Sequence, residues 1–67
     1  MSELTIRLKQ VADQIPTGAS VLDVGCSDGR LLAWLRDVRQ VDGRGIEIDA
    51  ERVAAAVARG LSVVQGD

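Results

Sequence analysis

From Val21 onward, short apolar runs alternate with segments of helical period, and the first switch between them passes through VLDVGCSDGR, with glycines at 25 and 29. Few folds accept such a pattern. A handful of consecutive apolar residues has the length of a strand, whereas apolar residues recurring every three or four positions mark a helix with one face on a core. Val21, Leu22 and Val24, interrupted only by Asp23, predict a strand covered on both faces of a parallel sheet. Leu31, Leu35 and Val38 share a helical face with Trp34 beside them, which predicts a helix from about Gly29 to Val38 with Trp34 in the core. GRGIEI, Gly43 to Ile48, reads as a second strand. Asp49 is placed to cap a helix from Ala50 to Arg59 whose shared face is Val53, Ala54 and Val57, and Gly60 fits the left-handed residue that ends it. Leu61 to Gln65 reads as a third strand. Ahead of all this, Leu4, Leu8, Val11 and Ile15 predict an amphipathic helix from about Glu3 to Gln14 with Ser2 as its N-cap, and Pro16 and Gly18 predict a turn.

Strands that alternate with helices through short connections run parallel and are joined by right-handed crossovers. The expected fold is therefore α/β, a Rossmann-like parallel sheet with flanking helices, about three of each. The 67 residues leave room for one domain, and a chain of that size buries only roughly 60% of the surface its unfolded form exposes. The apolar run that stops at Asp67 predicts that residues 1–67 are the N-terminal part of a larger domain. Alone, such a piece presents a sheet edge and apolar helix faces and is expected to self-associate.

Charge and composition exclude several classes. Eight Lys and Arg against ten Asp and Glu give a net charge of −2, with Trp34 as the one aromatic residue, so neither a basic face nor a base-stacking platform is expected and nucleic acid is disfavoured. One cysteine and no histidine leave neither a disulfide framework nor a Cys/His metal site, and Cys26 has no histidine to activate it as a nucleophile. MSELTIRLKQ lacks the pattern of an export signal, and no apolar stretch approaches the roughly 18 residues that span a bilayer. The cytoplasm is the expected compartment, with no membrane partner.

In open parallel sheets, ligands bind beyond the carboxyl ends of the strands, beside the loop that follows the first. Here that loop is VGCSDG, in which Gly25 and Gly29 can take positive φ and let backbone approach a ligand. Neither common phosphate fingerprint fits: G-x-G-x-x-G would need glycine at Ser27 and Arg30, and no Lys-Ser or Lys-Thr pair follows the glycines. Asp28 also stands at the start of a helix, where a pyrophosphate would have to sit. It reads more readily as a helix cap than as a ligand contact, and together with Asp23 it favours a cationic ligand. Asp23 serves equally well as an acceptor for loop N–H groups. Glu47, at the end of the second strand and 22 residues beyond Gly25, is placed to accept hydrogen bonds from both hydroxyls of a ribose, and Asp67 to reach an adenine amino group. Cys26 is expected to line the pocket through its backbone. Arg30 reads as a solvated first-turn residue with a ligand carboxylate as its alternative partner.

These residues resemble the class I S-adenosylmethionine-dependent methyltransferases. Their motif D/E-x-G-x-G-x-G is matched by Asp23, Gly25 and Gly29, with Ser27 in place of the central glycine; their second acidic position is matched by Glu47 in GIEID and their third by Asp67 in VVQGD. VLDVGCSDGRLLAWLRD, GIEID and VAAAVARGLSVVQGD together are similar to the MetW family of methionine-biosynthesis proteins. The resemblance implies S-adenosylmethionine or S-adenosylhomocysteine as cofactor, held by Asp23, Gly25, Cys26, Ser27, Gly29, Glu47, Ile48 and Asp67. It also implies work beside homoserine O-acetyltransferase. A sulfonium and an ammonium without phosphate agree with the acidic loop. Three functions stay open: a cofactor-binding accessory protein of methionine biosynthesis, a methyltransferase acting on a small molecule or protein, and, ranked lowest, an NAD-binding domain. No catalytic residue is named, because those that would select a methyl acceptor are expected beyond Asp67. Removing Glu47 is expected to weaken nucleoside binding and leave the fold intact.

Overall fold

A computed structural model describes residues 10–67. The predicted N-terminal helix lies mostly outside them, Ser2, Leu4 and Leu8 included; of the described residues in its span, 10–13 are helical. The chain then builds β1 (Ser20–Val24), α1 (Arg30–Arg39), β2 (Asp42–Glu47), α2 (Ala50–Ala58) and β3 (Ser62–Gln65). The strands form one parallel sheet in the order β1-β2-β3, with Asp23 paired to Gly45 and Glu47 to Gln65. Each helix returns the chain to the same end of the sheet, which keeps every strand parallel to the last. All three strands thus deliver their carboxyl ends to one edge. Among the described residues, no helix is long and apolar enough to cross a membrane.

The core lies on one side of the sheet only. Leu32, Ala56, Leu61, Val63 and Cys26 form one buried cluster and Ala12, Leu35 and Val41 another, and Val21 packs against both. The opposite face presents Leu22, Val24 and Val64, each more than 60% exposed. The sequence predicts β1 covered on both faces, whereas in the structure both helices lie on the Val21 side. An apolar run reports that a strand prefers burial, but it does not say which neighbours supply that burial.

The helix faces also shift. α1 buries Leu32 and Leu35 while Val38 is exposed, and Trp34 is partly buried against the second cluster. The inward residue of α2 is Ala56, with Val53 partly buried; Ala54 and Val57 are exposed. Small residues make that contact because α2 rests on the backbone at Gly29, where a Cβ would collide with Leu61 Cδ1 and stand 3.0 Å from Ala56 Cβ. Asp49 caps α2 as expected, its side chain accepting the Arg52 N–H at 3.0 Å, and Gly60 closes the helix at φ 83°. β2 runs one residue earlier than the sequence pattern predicts, which leaves Ile48 beyond its end.

Candidate functional site

The loop from Gly25 to Gly29 hooks over the end of β2. Gly25 N–H and Cys26 N–H both donate to the Ile46 carbonyl, at 2.7 and 3.1 Å, and Gly29 N–H donates to the Cys26 carbonyl at 3.1 Å. The backbone takes left-handed φ three times in five residues, at Gly25 (77°), Ser27 (58°) and Gly29 (80°). Ser27 stands where the methyltransferase motif has its central glycine and adopts the conformation that glycine would take freely. For a residue with a Cβ that conformation costs about 1–2 kcal/mol. What holds it is one short bond, Ser27 N–H to Glu47 Oε1 at 2.8 Å.

Glu47 is 6% exposed, the one buried charged side chain among the described residues. Its second oxygen, Oε2, accepts the Asp49 N–H at 2.9 Å. The carboxylate therefore joins the glycine loop to the start of α2. These two N–H donors, Asp49 first and then Ser27, hold the Glu47 carboxyl below its ordinary value of 4.5 because they bind only the charged form well. Each carboxylate oxygen has two acceptor positions, so accepting capacity remains for a ligand. Removing Glu47 would therefore strand two backbone donors, one in the loop and one at the start of α2.

The direction of the shift fixes a pH dependence. Because the folded value lies below the unfolded one, the stabilisation from Glu47 is complete above the ordinary glutamate range and is lost as pH falls through the depressed folded value. In an NMR titration, the Ser27 and Asp49 amide protons are expected to move together, with one midpoint below 4.5. Separate midpoints, or one above that value, would contradict the shared carboxylate. Asp23 has the opposite sign. It is partly buried, burial raises its pKa, and it has no hydrogen bond or ion pair with the described residues. Its charged form is therefore less favoured than in water and would be stabilised by a nearby cation.

Asp28 behaves differently from its prediction. The N-cap position of α1 is Gly29, without a side-chain cap. Asp28 reaches in from one residue further out, its Oδ1 accepting the Arg30 N–H at 3.2 Å. Its Oδ2 lies 3.3 Å from Arg30 Nη2 and 3.6 Å from Arg59 Nη2. The Arg30 hydrogen bonds keep its carboxyl below the ordinary aspartate value. With two guanidinium groups on it, Asp28 offers little attraction to a cationic ligand, and Arg30 is engaged with Asp28. That attraction falls to Asp23 and Glu47.

At the carboxyl edge of the sheet, Val24, Gly25, Ile46, Glu47, Ile48, Gly66 and Asp67 line a cleft of about 230 Å³. The structure thus brings together four of the predicted site residues, Gly25, Glu47, Ile48 and Asp67. Ile48 is 65% exposed at this edge. Asp23, Cys26, Ser27 and Gly29 are not on the cleft wall. Cys26 is buried with its side chain in the core, closely packed on Gly45, and burial pushes its thiol pKa up, as expected of an inert cysteine. Ser27 and Gly29 act through the shape of the loop. Val24, Ile46 and Gly66 were missed, although the period of two along β1 and β2 places Val24 and Ile46 on the face opposite Val21 and Glu47.

Comparison with known proteins agrees with this geometry. The model of the family described as methionine biosynthesis protein MetW matches residues 6–67. The bifunctional methionine biosynthesis protein MetXA/MetW of Rhodopirellula baltica is 34% identical over 76 residues, covering 98% of this chain and 12% of its own length. Among solved structures, the TehB-like SAM-dependent methyltransferase of Corynebacterium glutamicum superposes with a TM-score of 0.80 at 27% identity, over 90% of this chain and 33% of that one. The RNA methyltransferase of Salinibacter ruber, solved in complex with S-adenosyl-L-homocysteine, superposes with a TM-score of 0.75 at 26% identity, over all of this chain and 49% of that one. The chain therefore spans a small part of the curated relative and between a third and a half of these two enzymes. It is a member of the MetW family of methionine biosynthesis proteins, built on the Rossmann-like core of the class I SAM-dependent methyltransferases.

Proposed function

We propose that the cleft at the carboxyl edge binds S-adenosylmethionine or S-adenosylhomocysteine, and that the protein serves methionine biosynthesis beside homoserine O-acetyltransferase. The observation that carries the binding reading is Glu47: an ionised, nearly buried carboxylate at the end of the central strand, on the wall of the cleft that Gly25 and Ile48 also line. Its remaining acceptor positions suit the two hydroxyls of a ribose. Ile46 and Ile48 offer apolar surface to a purine, and Asp67 an acceptor to its amino group. Asp23, partly buried and without a partner among the described residues, suits a cationic group. Diphosphate is disfavoured, since the first free N–H of α1 is already bonded to the Asp28 carboxylate. When bound, the cofactor supplies a methyl group on a sulfonium; this chain's residues hold and orient it. The methionine-biosynthesis role is supported by the family and by a relative whose name joins MetXA to MetW.

Calorimetric titration of the protein with S-adenosylhomocysteine and with NADH tests the binding reading. The nucleoside thioether is expected to bind at least about tenfold more tightly; tighter NADH binding would overturn it. Adding the protein to a homoserine acetylation assay tests the second part. A changed rate or a physical complex is expected, and neither appearing would remove the accessory role.

A further inference from the structure

The glycine loop is tied to α2 at both ends of that helix. At the start, Glu47 receives the Ser27 and Asp49 N–H groups. At the far end stands Arg59, the C-cap residue of α2. Its Nε donates to the Asp28 carbonyl at 3.1 Å, and its Nη2 lies 3.6 Å from Asp28 Oδ2. The Arg59 carbonyl is itself held by Arg36 Nη1 at 2.9 Å, so α1 braces the residue that braces the loop. Between the two ties, Gly29 is pressed against Ala56 and Leu61. The loop is thus held by Glu47 at Ser27 and by Arg59 at the following residue, Asp28.

We propose that Arg59 is a positioning residue that sets the conformation of the glycine loop beside Glu47. The planar guanidinium donates from Nε to the Asp28 carbonyl while its Nη2 faces the Asp28 carboxylate as an ion pair at 3.6 Å, a two-point geometry that a lysine ammonium does not reproduce. The carbonyl bond is the essential half: it fixes the Asp28–Gly29 peptide and so limits how far the loop can shift while the Ser27 N–H, one peptide further back, meets Glu47 Oε1. Without that tie, the left-handed strain at Ser27 is free to relax, and the Glu47 carboxylate loses a donor and its fixed orientation. Arg59 and Asp28 are 43% and 25% exposed, and exposed ion pairs contribute little to global stability. The signature of Arg59 is therefore local.

The ligand consequence rests on the proposed cofactor reading, whereas the loop consequence stands without it. Amide hydrogen exchange of the free protein reads the loop, and titration with S-adenosylhomocysteine reads the ligand. Arg59→Ala and Arg59→Lys are both expected to speed exchange of the Ser27 and Gly29 amides about tenfold, with β2 and β3 amides unchanged. Both are expected to weaken S-adenosylhomocysteine binding about tenfold. Asp28→Asn, which keeps the carbonyl acceptor, is expected to change either quantity less than about threefold. Unchanged loop exchange in Arg59→Ala, or a uniform rise across the whole sheet, would overturn the proposal, and so would full rescue by lysine. If loop exchange rises while the unaltered protein fails to bind S-adenosylhomocysteine, Arg59 keeps its role and the cofactor reading falls.

Discussion

In a Glu47→Ala protein, S-adenosylhomocysteine binding is expected to fall at least about tenfold, and the glycine loop is expected to lose its order in the same step. The two losses share one cause. The carboxylate that would accept ribose hydroxyls also accepts the Ser27 and Asp49 N–H groups. Alanine leaves both donors unpaired and releases Ser27 from its left-handed backbone. Glu47→Gln is a sharper probe, because it has nearly the same shape. A glutamine offers one oxygen and one NH2, so one of the two backbone N–H groups must face a donor. Glutamine is therefore expected to rescue only part of the binding and to speed exchange at one of the two amides, Ser27 or Asp49. Calorimetry and amide exchange on the same samples check both. Undiminished binding in the alanine variant would remove Glu47 from the site, and two protected amides in the glutamine variant would remove it from the loop.

Gly29→Ala is expected to destabilise the protein by roughly 2–5 kcal/mol, the largest effect of a single methyl group anywhere in the loop. Two terms add. A side chain at φ 80° meets the left-handed penalty of about 1–2 kcal/mol. The new Cβ also collides with Leu61 Cδ1 and stands 3.0 Å from Ala56 Cβ, and overpacking of this kind typically costs about 1–3 kcal/mol. Leu61 can swing its side-chain end aside, but Ala56 is anchored to the α2 backbone, so relief requires α2 to move off the loop. Gly25→Ala separates the terms, since its φ is 77° but no atom lies within 4 Å of an added Cβ. It is expected to lose only the conformational part. Urea unfolding of the two variants measures the difference, and equal midpoints would show that the contact with α2 carries no weight.

Much of this architecture was legible in the residues themselves. The alternation of strand-length runs with helical periods fixed the α/β class, because the two periods, 2 and 3.6, are incompatible within one segment. Asp49 and Gly60 announced the ends of α2, since capping uses one side chain and its immediate backbone. Less was legible about facing. Leu31, Leu35 and Val38 made an acceptable apolar stripe, yet Leu32 is fully buried alongside Leu35, because α1 is rotated so that Leu32 joins the buried cluster of Val63 and Ala56 while Val38 turns outward. Ala56 carried no hydrophobic signal beyond its neighbours and became central only because Gly29 lies beneath it.

The site divides along the same line. Gly25, Glu47 and Asp67 could be placed from spacing alone, because each lies at or just beyond the end of a strand and parallel strands end together at one edge. What these residues do could not. Asp28 reads from the sequence as an anion at a helix start, and only the folded chain shows its charge matched twice, by Arg30 two residues on and by Arg59, 31 residues away. Ser27 appeared to be a flaw in the motif, and only the Glu47 carboxylate, 20 residues away, explains how a non-glycine residue holds that backbone. Local sequence determined the order of elements, the glycine loop and the acidic strand end, because these depend on dihedral preference and short-range periodicity. The folded chain decided which charges are matched and which face is covered, because hydrogen bonds and steric contact depend on distance in space.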